Sequence, residues 1–416
     1  MTQTNRAASA DIVIIGGGIV GAAGAESLSR AGLRVTLVER LGLAAGASGA
    51  CMGSTGYDLF SDEYELKLSI EGLRSYQELA DRGVQFDYVR SGTMIMAEPE
   101  QELKIRSRVV ELRAQGLELE WLDRAALSDA EPAISPNVIG AALIKDAGHL
   151  TPMRVVAELV KFAIQKGARI HTGTEVTGIE MTRGKVVAVL TSTGRIATER
   201  IVIAAGCWSR PVARLMGLQI PVWPLKGHVL VTEAVPGLVR HFLLGGGYQA
   251  TVEAMSRLQI GPDGPRAPSP QVATALQPRP HGQILIGSSR EFAGFDRDVS
   301  RERLAQIAAR ACRIIPQLKQ IRIIRTYAGL RPWTPDGRPL IGITHQVEGV
   351  ILATGHGGEG NRLALVTARL VTDILFARPA SIELSYLSPD RFIGSEFMAT
   401  CRGPDDPVPG TRPTGR

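Results

Sequence analysis

Three glycines and one acid form the first chemical arrangement in this chain. Gly16, Gly18 and Gly21 stand at the spacing G-x-G-x-x-G, and Glu39 follows. Each glycine has its own physical reason. Gly16 permits a tight turn, Gly18 lets a pyrophosphate approach the backbone, and Gly21 allows a helix to pack closely on a strand. Ile19 and Val20 lie on the same turn, where free N–H groups at a helix start hold phosphate oxygens. Glu39 is placed to accept hydrogen bonds from ribose hydroxyls, with Arg40 beside it. The spacing alone leaves open whether the dinucleotide is NAD or FAD.

The flanking residues supply the elements this arrangement needs. Ile12–Ile15 is a continuous apolar run, as a central parallel strand covered on both faces requires. Residues 22–31 read as a helix, Gly32 as its left-handed C-terminal cap, and residues 35–38 as a second strand. A glycine- and alanine-rich loop, 41–56, then offers a backbone able to line a long ligand. A second arrangement lies far downstream. Residues 350–353 read as a strand, 355–360 as a glycine-rich turn, and 361–375 as a helix. Leu363, Leu365, Val366, Leu370, Val371 and Ile374 share its apolar face. Its N-terminus is predicted to face an electron-rich group.

Four stretches together resemble the D-amino-acid oxidase family of FAD-dependent amine oxidoreductases, which includes glycine and sarcosine oxidases. They are the 41–56 loop with Ala47-Ser48-Gly49, the segment 173–209 with Ala204-Ala205-Gly206, the Gly329-Leu330-Arg331-Pro332 motif, and the Gly355-His356-Gly357-Gly358-Glu359-Gly360 turn. The resemblance implies FAD as the cofactor. Ser48 is expected on a phosphate, Met52 and Gly53 in the flavin-lining loop, and the Val176 backbone on adenine. Ala205, Gly206 and Trp208 are expected to close over the cofactor, and the 355–360 turn to face the flavin. Ring hydroxylases of related fold carry an acidic Gly-Asp after this strand, where His356-Gly357 stands here. No second G-x-G-x-x-G opens another βαβ unit, so NAD(P) is not expected.

The family's reaction is hydride transfer from an amine-bearing carbon to flavin N5, giving an imine that hydrolyses. By resemblance, Arg331 grips the substrate carboxylate as a bidentate pair. Packing on Trp333 is its alternative, structural role. Departures carry information as well. Glycine oxidase places a second arginine where this chain has Gly358, followed by Glu359. Glu359 is expected to hold a substrate cation or to face a partner subunit. The turn looks more like the β subunits of opine oxidase, D-hydroxyproline dehydrogenase and hydrogen cyanide synthase. That likeness implies a heteromeric complex whose partner subunits carry electrons to an acceptor other than oxygen. No cysteine precedes Thr334-Pro335-Asp336, so the FAD is expected to be non-covalent. Cys51 reads as a packing residue.

The expected fold class is α/β: a Rossmann-like FAD-binding domain and an α+β substrate domain built on an antiparallel sheet. The FAD-binding domain is predicted from 10–84, 145–215 and 325–385, and the substrate domain from 85–144 and 216–324. Segments 85–100 and 221–234 read as strands of the second domain, and 281–296 as a strand pair. Segment 261–280 reads as a proline- and glycine-rich loop or partner contact, and 403–416 as a disordered tail. His228, Tyr248 and His356 are candidate pocket residues, Tyr248 because it follows the loop-like Gly245-Gly246-Gly247.

Composition narrows the remaining classes. The 416 residues are 44% hydrophobic and 21% charged, with net charge +6. The basic residues are dispersed rather than clustered, which argues against nucleic acid. The four cysteines form no C-x-x-C pair, which argues against a zinc or iron–sulfur site and fits a reducing compartment. With no apolar leader and no membrane span in view, a cytoplasmic location is expected, docking on a membrane face being left open. Two other functions stay open on sequence grounds. One is oxidation of a 2-hydroxy acid. The other is a flavin-bearing electron-transfer subunit with no substrate of its own.

Overall fold

Ile12, Val13 and Ile14 are wholly sealed from solvent, and each has a definite side to face. Val13 and Ile15 pack with Ile201, Ile203, Val350 and Leu352 on one side of their sheet. Ile12 and Ile14 pack with Leu28, Leu37, Val366 and Leu370 on the other. Strand alternation thus splits one apolar run between two cores. Each such buried side chain contributes about 1.5–3 kcal/mol.

The computed structural model describes residues 8–256, 258, 260, 261, 264, 265, 269–395 and 397. The tail predicted at 403–416 lies outside the described residues. The first sheet has six strands, in the order Leu340–Ile343, Val350–Thr354, Ile201–Ile203, Ile12–Ile15, Val35–Val38 and Arg169–His171. All neighbours run parallel except Leu340–Ile343. Helices Ile19–Arg30 and Gly360–Leu375 pack on one face, and Pro152–Gln165 packs against the first of them. A meander, Val176–Thr182, Lys185–Thr191 and Gly194–Ala197, covers the other face. Gly32 has φ +94°, as a C-terminal glycine cap requires.

The second sheet has eight strands: Ile323–Trp333, Trp223–Thr232, Ile284–Arg290, Gln271–Pro278, Phe242–Gly245, Thr93–Ala97, Gly140–Ile144 and Leu119–Leu122, in that order. It is antiparallel apart from Phe242–Gly245 beside Thr93–Ala97, which run parallel. The fold class expected from sequence is therefore found, but four details of this half differ. Segment 261–280 is no simple loop. It contains Gln271–Pro278, an interior strand whose Val272, Ala275 and Leu276 are buried. Pro278 and Pro280 end that strand rather than mark a loop. Segment 281–296 holds one strand, Ile284–Arg290, and its partner is Gln271–Pro278. Tyr248 opens a helix, Tyr248–Ser256, directly after the glycines. Ile323–Trp333 is bonded along its length to Trp223–Thr232, so the domain boundary predicted at 325 cuts a strand of the second sheet. Among the described residues, no helix is long and apolar enough to cross a membrane.

Candidate active site

Gly16 turns with φ +115°, and a Cβ placed on it would lie 2.5 Å from the Ala204 carbonyl oxygen. A Cβ on Gly21 would lie 1.9 Å from the Gly16 oxygen. Only glycine lets the helix start and the neighbouring strand end come this close. Gly18 is the N-cap of Ile19–Arg30 and provides no side-chain cap. Ser48, in the short turn Ala47–Gly49, takes that place: its Oγ accepts from the Ile19 N–H at 2.9 Å. The hydroxyl predicted for a phosphate therefore lies at the start of the first helix. Glu39 accepts from Gly17 N–H at 2.7 Å and Leu41 N–H at 2.8 Å, which pins its carboxylate beside the glycine turn. Val176 is buried on the opposite wall. Arg40 lies over the Trp208 ring, 5.3 Å from its centroid, and pairs with Glu175 at 3.9 Å. Ala205 and Gly206 complete this end of the cavity.

The distant motifs converge at the other end. Gly357 N–H donates to the Pro332 oxygen at 2.8 Å, joining the glycine turn to the Gly329–Pro332 motif. A Cβ on Gly329 would lie 2.6 Å from Ala50 Cβ in the 41–56 loop, so the close approach requires glycine. Met52 Sδ lies 3.0 Å from the Cβ position of Gly287 on the second sheet. Asn361 Nδ2 donates to the Ser54 oxygen at 2.8 Å. One elongated cavity results, running from Gly16, Glu39 and Val176 to Tyr57, Asp58, Tyr248 and Arg331. Gly53, Gly358 and Gly360 also line it, while Gly355 does not. Gly355 has φ +76° and abuts Thr334, so its role is the turn itself.

Arg331 is partly exposed, toward the cavity it lines, and otherwise enclosed. Its Nη1 donates to the Ser289 carbonyl at 3.0 Å. Among the described residues, no carboxylate stands at ion-pair distance from it. Enclosure and the neighbouring Arg290 charge pull its pKa down to about 10, and it remains a cation at neutral pH. Tyr248 lines the cavity beside it, with the Arg290 guanidinium 4.6 Å from its ring centroid.

The other predicted residues fare differently. His228 does not reach the cavity. Its neighbours Gly227 and Val229 line it, and strand alternation turns His228 to the opposite face. There the ring Nδ1 is 2.7 Å from Ser289 Oγ, and Nε2 accepts from Ser300 N–H at 3.1 Å. It is a fully buried structural histidine whose pKa burial lowers. His356 lies at the cavity wall, but its Nε2 is 3.0 Å from Thr367 Oγ1 and burial lowers its pKa to about 4. The neutral ring joins the turn to the helix behind it. Glu359 is not free for a substrate ammonium: Arg362 Nη2 pairs with it at 2.5 Å, and Arg362 Nη1 donates to the Gly56 oxygen at 2.8 Å. Cys51, whose thiol burial pushes up to about 12, is an inert packing group.

Sequence reading missed Tyr57, Asp58, Thr93, Ser288 and Arg362, which line the cavity, and Arg290, which packs on the cavity-lining Tyr248. None belongs to a glycine motif, and only the packing of the second sheet over the first brings them together. Burial raises the Asp58 carboxyl pKa against the opposing pull of Arg362.

The chain's own atoms fit an FAD. The start of the first helix, an acid after the second strand and a second helix start lie along one cavity. Its walls also hold buried polar atoms with no protein partner: Tyr57 OH, Thr93 Oγ1, Ser288 Oγ and Asn361 Oδ1. Buried groups of this kind are normally satisfied, so this cavity is built to be filled. The chain belongs to the DAO family of FAD-dependent oxidoreductases, whose family model matches residues 11–374. It is 28% identical to hydrogen cyanide synthase subunit HcnC of Pseudomonas aeruginosa, over 92% of this chain and 96% of that protein. It is 29% identical to glycine oxidase of Geobacillus kaustophilus, over 92% of this chain and 97% of the relative. The crystal structure of the Geobacillus kaustophilus glycine oxidase matches with TM-score 0.82 at 26% identity, over 93% of this chain and all of that one. The L-proline dehydrogenase of P. horikoshii shares the fold, with TM-score 0.82 at 23% identity over 93% of this chain and 98% of that one. The chain is thus an FAD-dependent oxidoreductase whose curated relatives include enzymes acting on amino acids.

Proposed function

We propose that this chain oxidises an amino acid or secondary amine and delivers the electrons to an acceptor other than oxygen, through partner subunits. The observation that carries the reading is Arg331: a cationic fork, fixed by Ser289 and facing the cavity, with no carboxylate at ion-pair distance among the described residues. A guanidinium in that state is made for a carboxylate.

In the proposed site, the helix start at Gly18–Ile19, Ser48 and Glu39 hold the FAD through its phosphates and ribose, without a covalent bond. The bound FAD supplies the two-electron acceptor for the substrate C–H bond. The protein supplies position and environment. Arg331 orients the substrate by its carboxylate, and Tyr248 forms the adjoining wall. The eight-stranded sheet roofs the cavity and keeps water from the reacting carbon. His356, neutral at working pH, provides no proton. The amine must therefore arrive uncharged, and no general base is needed. The likeness to a hydrogen cyanide synthase subunit supports a complex; the likeness to glycine oxidase leaves a competing acceptor in oxygen.

The test is an anaerobic titration of the flavin absorbance of purified holoenzyme with amino acids, N-substituted amino acids and 2-hydroxy acids. Bleaching by an amine class, with slow recovery in air and fast recovery with an artificial acceptor, is the expected result. Bleaching by hydroxy acids alone would refute the amine reading. Fast recovery in air would refute the dehydrogenase reading.

A further inference from the structure

Residues 291–300 join strand Ile284–Arg290 to helix Arg301–Ile314, and both ends of this connection are tied to one neighbouring strand, Trp223–Thr232. At the start, Lys226 N–H donates to the Glu291 carbonyl at 2.9 Å, and Glu291 N–H donates back at 3.1 Å. At the end, His228 Nε2 accepts from Ser300 N–H at 3.1 Å. Between them the Lys226 ammonium donates to Asp296 Oδ2 at 2.6 Å and to the Asp298 carbonyl at 3.3 Å, and it pairs with Glu291 at 3.1 Å. The Lys226 side chain is only 6% exposed, and an enclosed ammonium is costly unless it is paired in this way. The connection is thus a strap latched along its length to the second sheet.

Its middle meets the nucleotide half. The Phe295 ring packs on Trp208, with centroids 5.5 Å apart. Trp208 stands in turn against Gly46, whose Cβ position lies 3.5 Å from Trp208 Cζ3. Gly46 caps the short turn that carries Ser48, and Ser48 Oγ lies at the start of the first helix. Two residues beyond Phe295, Arg297 lines the cavity.

Charge singles out this arginine. Arg40, Arg297, Arg331 and Arg362 all line the cavity. Arg40 pairs with Glu175, and Arg362 with Glu359. Arg331 is anchored on the Ser289 carbonyl, away from the first helix. Arg297 is exposed, and among the described residues no carboxylate stands at ion-pair distance from it. Its neighbour Asp296 is held by Lys226. The start of the first helix offers neutral donors, backbone N–H groups and the Ser48 hydroxyl, while Glu39 adds a negative charge. A pyrophosphate is a dianion, and a guanidinium fork is the side chain that matches it best.

We propose that 291–300 is a cofactor strap and that Arg297 is a cofactor-binding residue, supplied by the second sheet to the pyrophosphate of FAD. Lys226 is the positioning residue: by holding Asp296 and Asp298 it fixes the arginine between them.

Release of FAD from the holoenzyme tests this without turnover, followed by flavin fluorescence after dilution. Arg297→Met should release FAD roughly 10- to 100-fold faster than wild type, the worth of one charged hydrogen-bonded contact. Arg297→Lys keeps the charge and should fall between the two. Salt gives a readout that general loosening would not move. Added sodium chloride should speed release from wild type, and should speed it less from Arg297→Met. Asp296→Asn weakens the latch at a side chain that is 45% exposed. It should speed release on its own and add little to Arg297→Met. An Arg297→Met enzyme that keeps its FAD as long as wild type overturns the proposal. So does one that loses FAD faster yet retains the full salt response, since the strap would then act by packing alone. Full additivity of Asp296→Asn with Arg297→Met would remove the positioning role of Lys226.

Discussion

Arg331 reaches the cavity because residue 227 is glycine. The two residues lie on adjacent antiparallel strands, with Gly227 opposite Gly329 and Leu225 opposite Arg331. The arginine side chain crosses the neighbouring strand at Gly227, where a Cβ would sit 2.1 Å from Nη1. It can then meet the Ser289 carbonyl on the third strand. The positioning of the principal cation thus depends on an absent side chain on the strand between the arginine and its anchor.

Gly227→Ala should therefore leave the fold intact and damage the site. The atom it strikes is the far end of a flexible side chain, so the arginine moves and the backbone does not. Flavin content should hold, while kcat/KM falls roughly tenfold or more, the scale of one displaced charged hydrogen bond. Steady-state kinetics and the flavin spectrum of the variant check this; unchanged kcat/KM would show that the crossing at Gly227 does not position the cation.

Arg331→Lys keeps the charge and loses the fork. If the carboxylate is held by a bidentate pair, kcat/KM should drop about 10- to 100-fold, with the flavin spectrum retained. A lysine enzyme as active as wild type would show that point charge alone suffices there.

Gly21→Ala presses a methyl group against the Gly16 carbonyl, which is backbone and cannot swing aside. Loss of bound FAD and a fall in stability of about 1–3 kcal/mol are expected, as for other overpacking changes. Flavin stoichiometry after gel filtration and urea unfolding measure the two effects. Full flavin occupancy would contradict the close-packing role.

The pH profile should rise and then break. If the proposed reaction consumes the neutral amine, kcat/KM should increase from pH 7 to 9. Arg331, with its pKa lowered to about 10, is charged below that value and loses its charge above it. Activity should therefore fall again as pH passes about 10. A steady decline from pH 7 to 9 would be incompatible with reaction of the neutral amine.

Acid should destabilise the fold through two buried histidines. Burial lowers His149 and His356 from 6.5 to about 4. In the unfolded chain each takes a proton near pH 6.5; in the folded protein it does so only near pH 4. Their contribution is thus complete above pH 6.5 and is lost as pH falls toward 4, about 3 kcal/mol for each at most. Urea unfolding between pH 7 and 4 should show this slope, and His149→Gln with His356→Gln should flatten it. A double variant with the wild-type slope would assign acid sensitivity elsewhere.

The nucleotide half was legible because its signals are local. The apolar run at Ile12–Ile15, the glycine spacing, Glu39 and the periodicity after Gly360 each lie within one turn or strand. The structure puts them within a residue or a few of their expected ends. The second half resisted for the opposite reason. Prolines near Gln271–Pro278 read as a loop, although they only bound an interior strand whose neighbours come from elsewhere in the chain.

Pocket residues divide in the same way. Their chemical types were set by sequence: the guanidinium of Arg331, the glycines at the first helix start, the Ser48 hydroxyl and the Glu39 acid. Which of them face one another was decided by tertiary structure. His228 lies between two cavity-lining residues yet points away, because alternation assigns faces only after the sheet has chosen which face covers the cavity. Glu359 was a free acid in the sequence and is a partnered one in the fold. Arg290 had no motif to announce it; it becomes a neighbour of Arg331 only when three strands align in register. Local spacing fixes what a residue can do. Long-range pairing fixes what it does it to, since strands distant in sequence can meet only through the packing of the whole sheet.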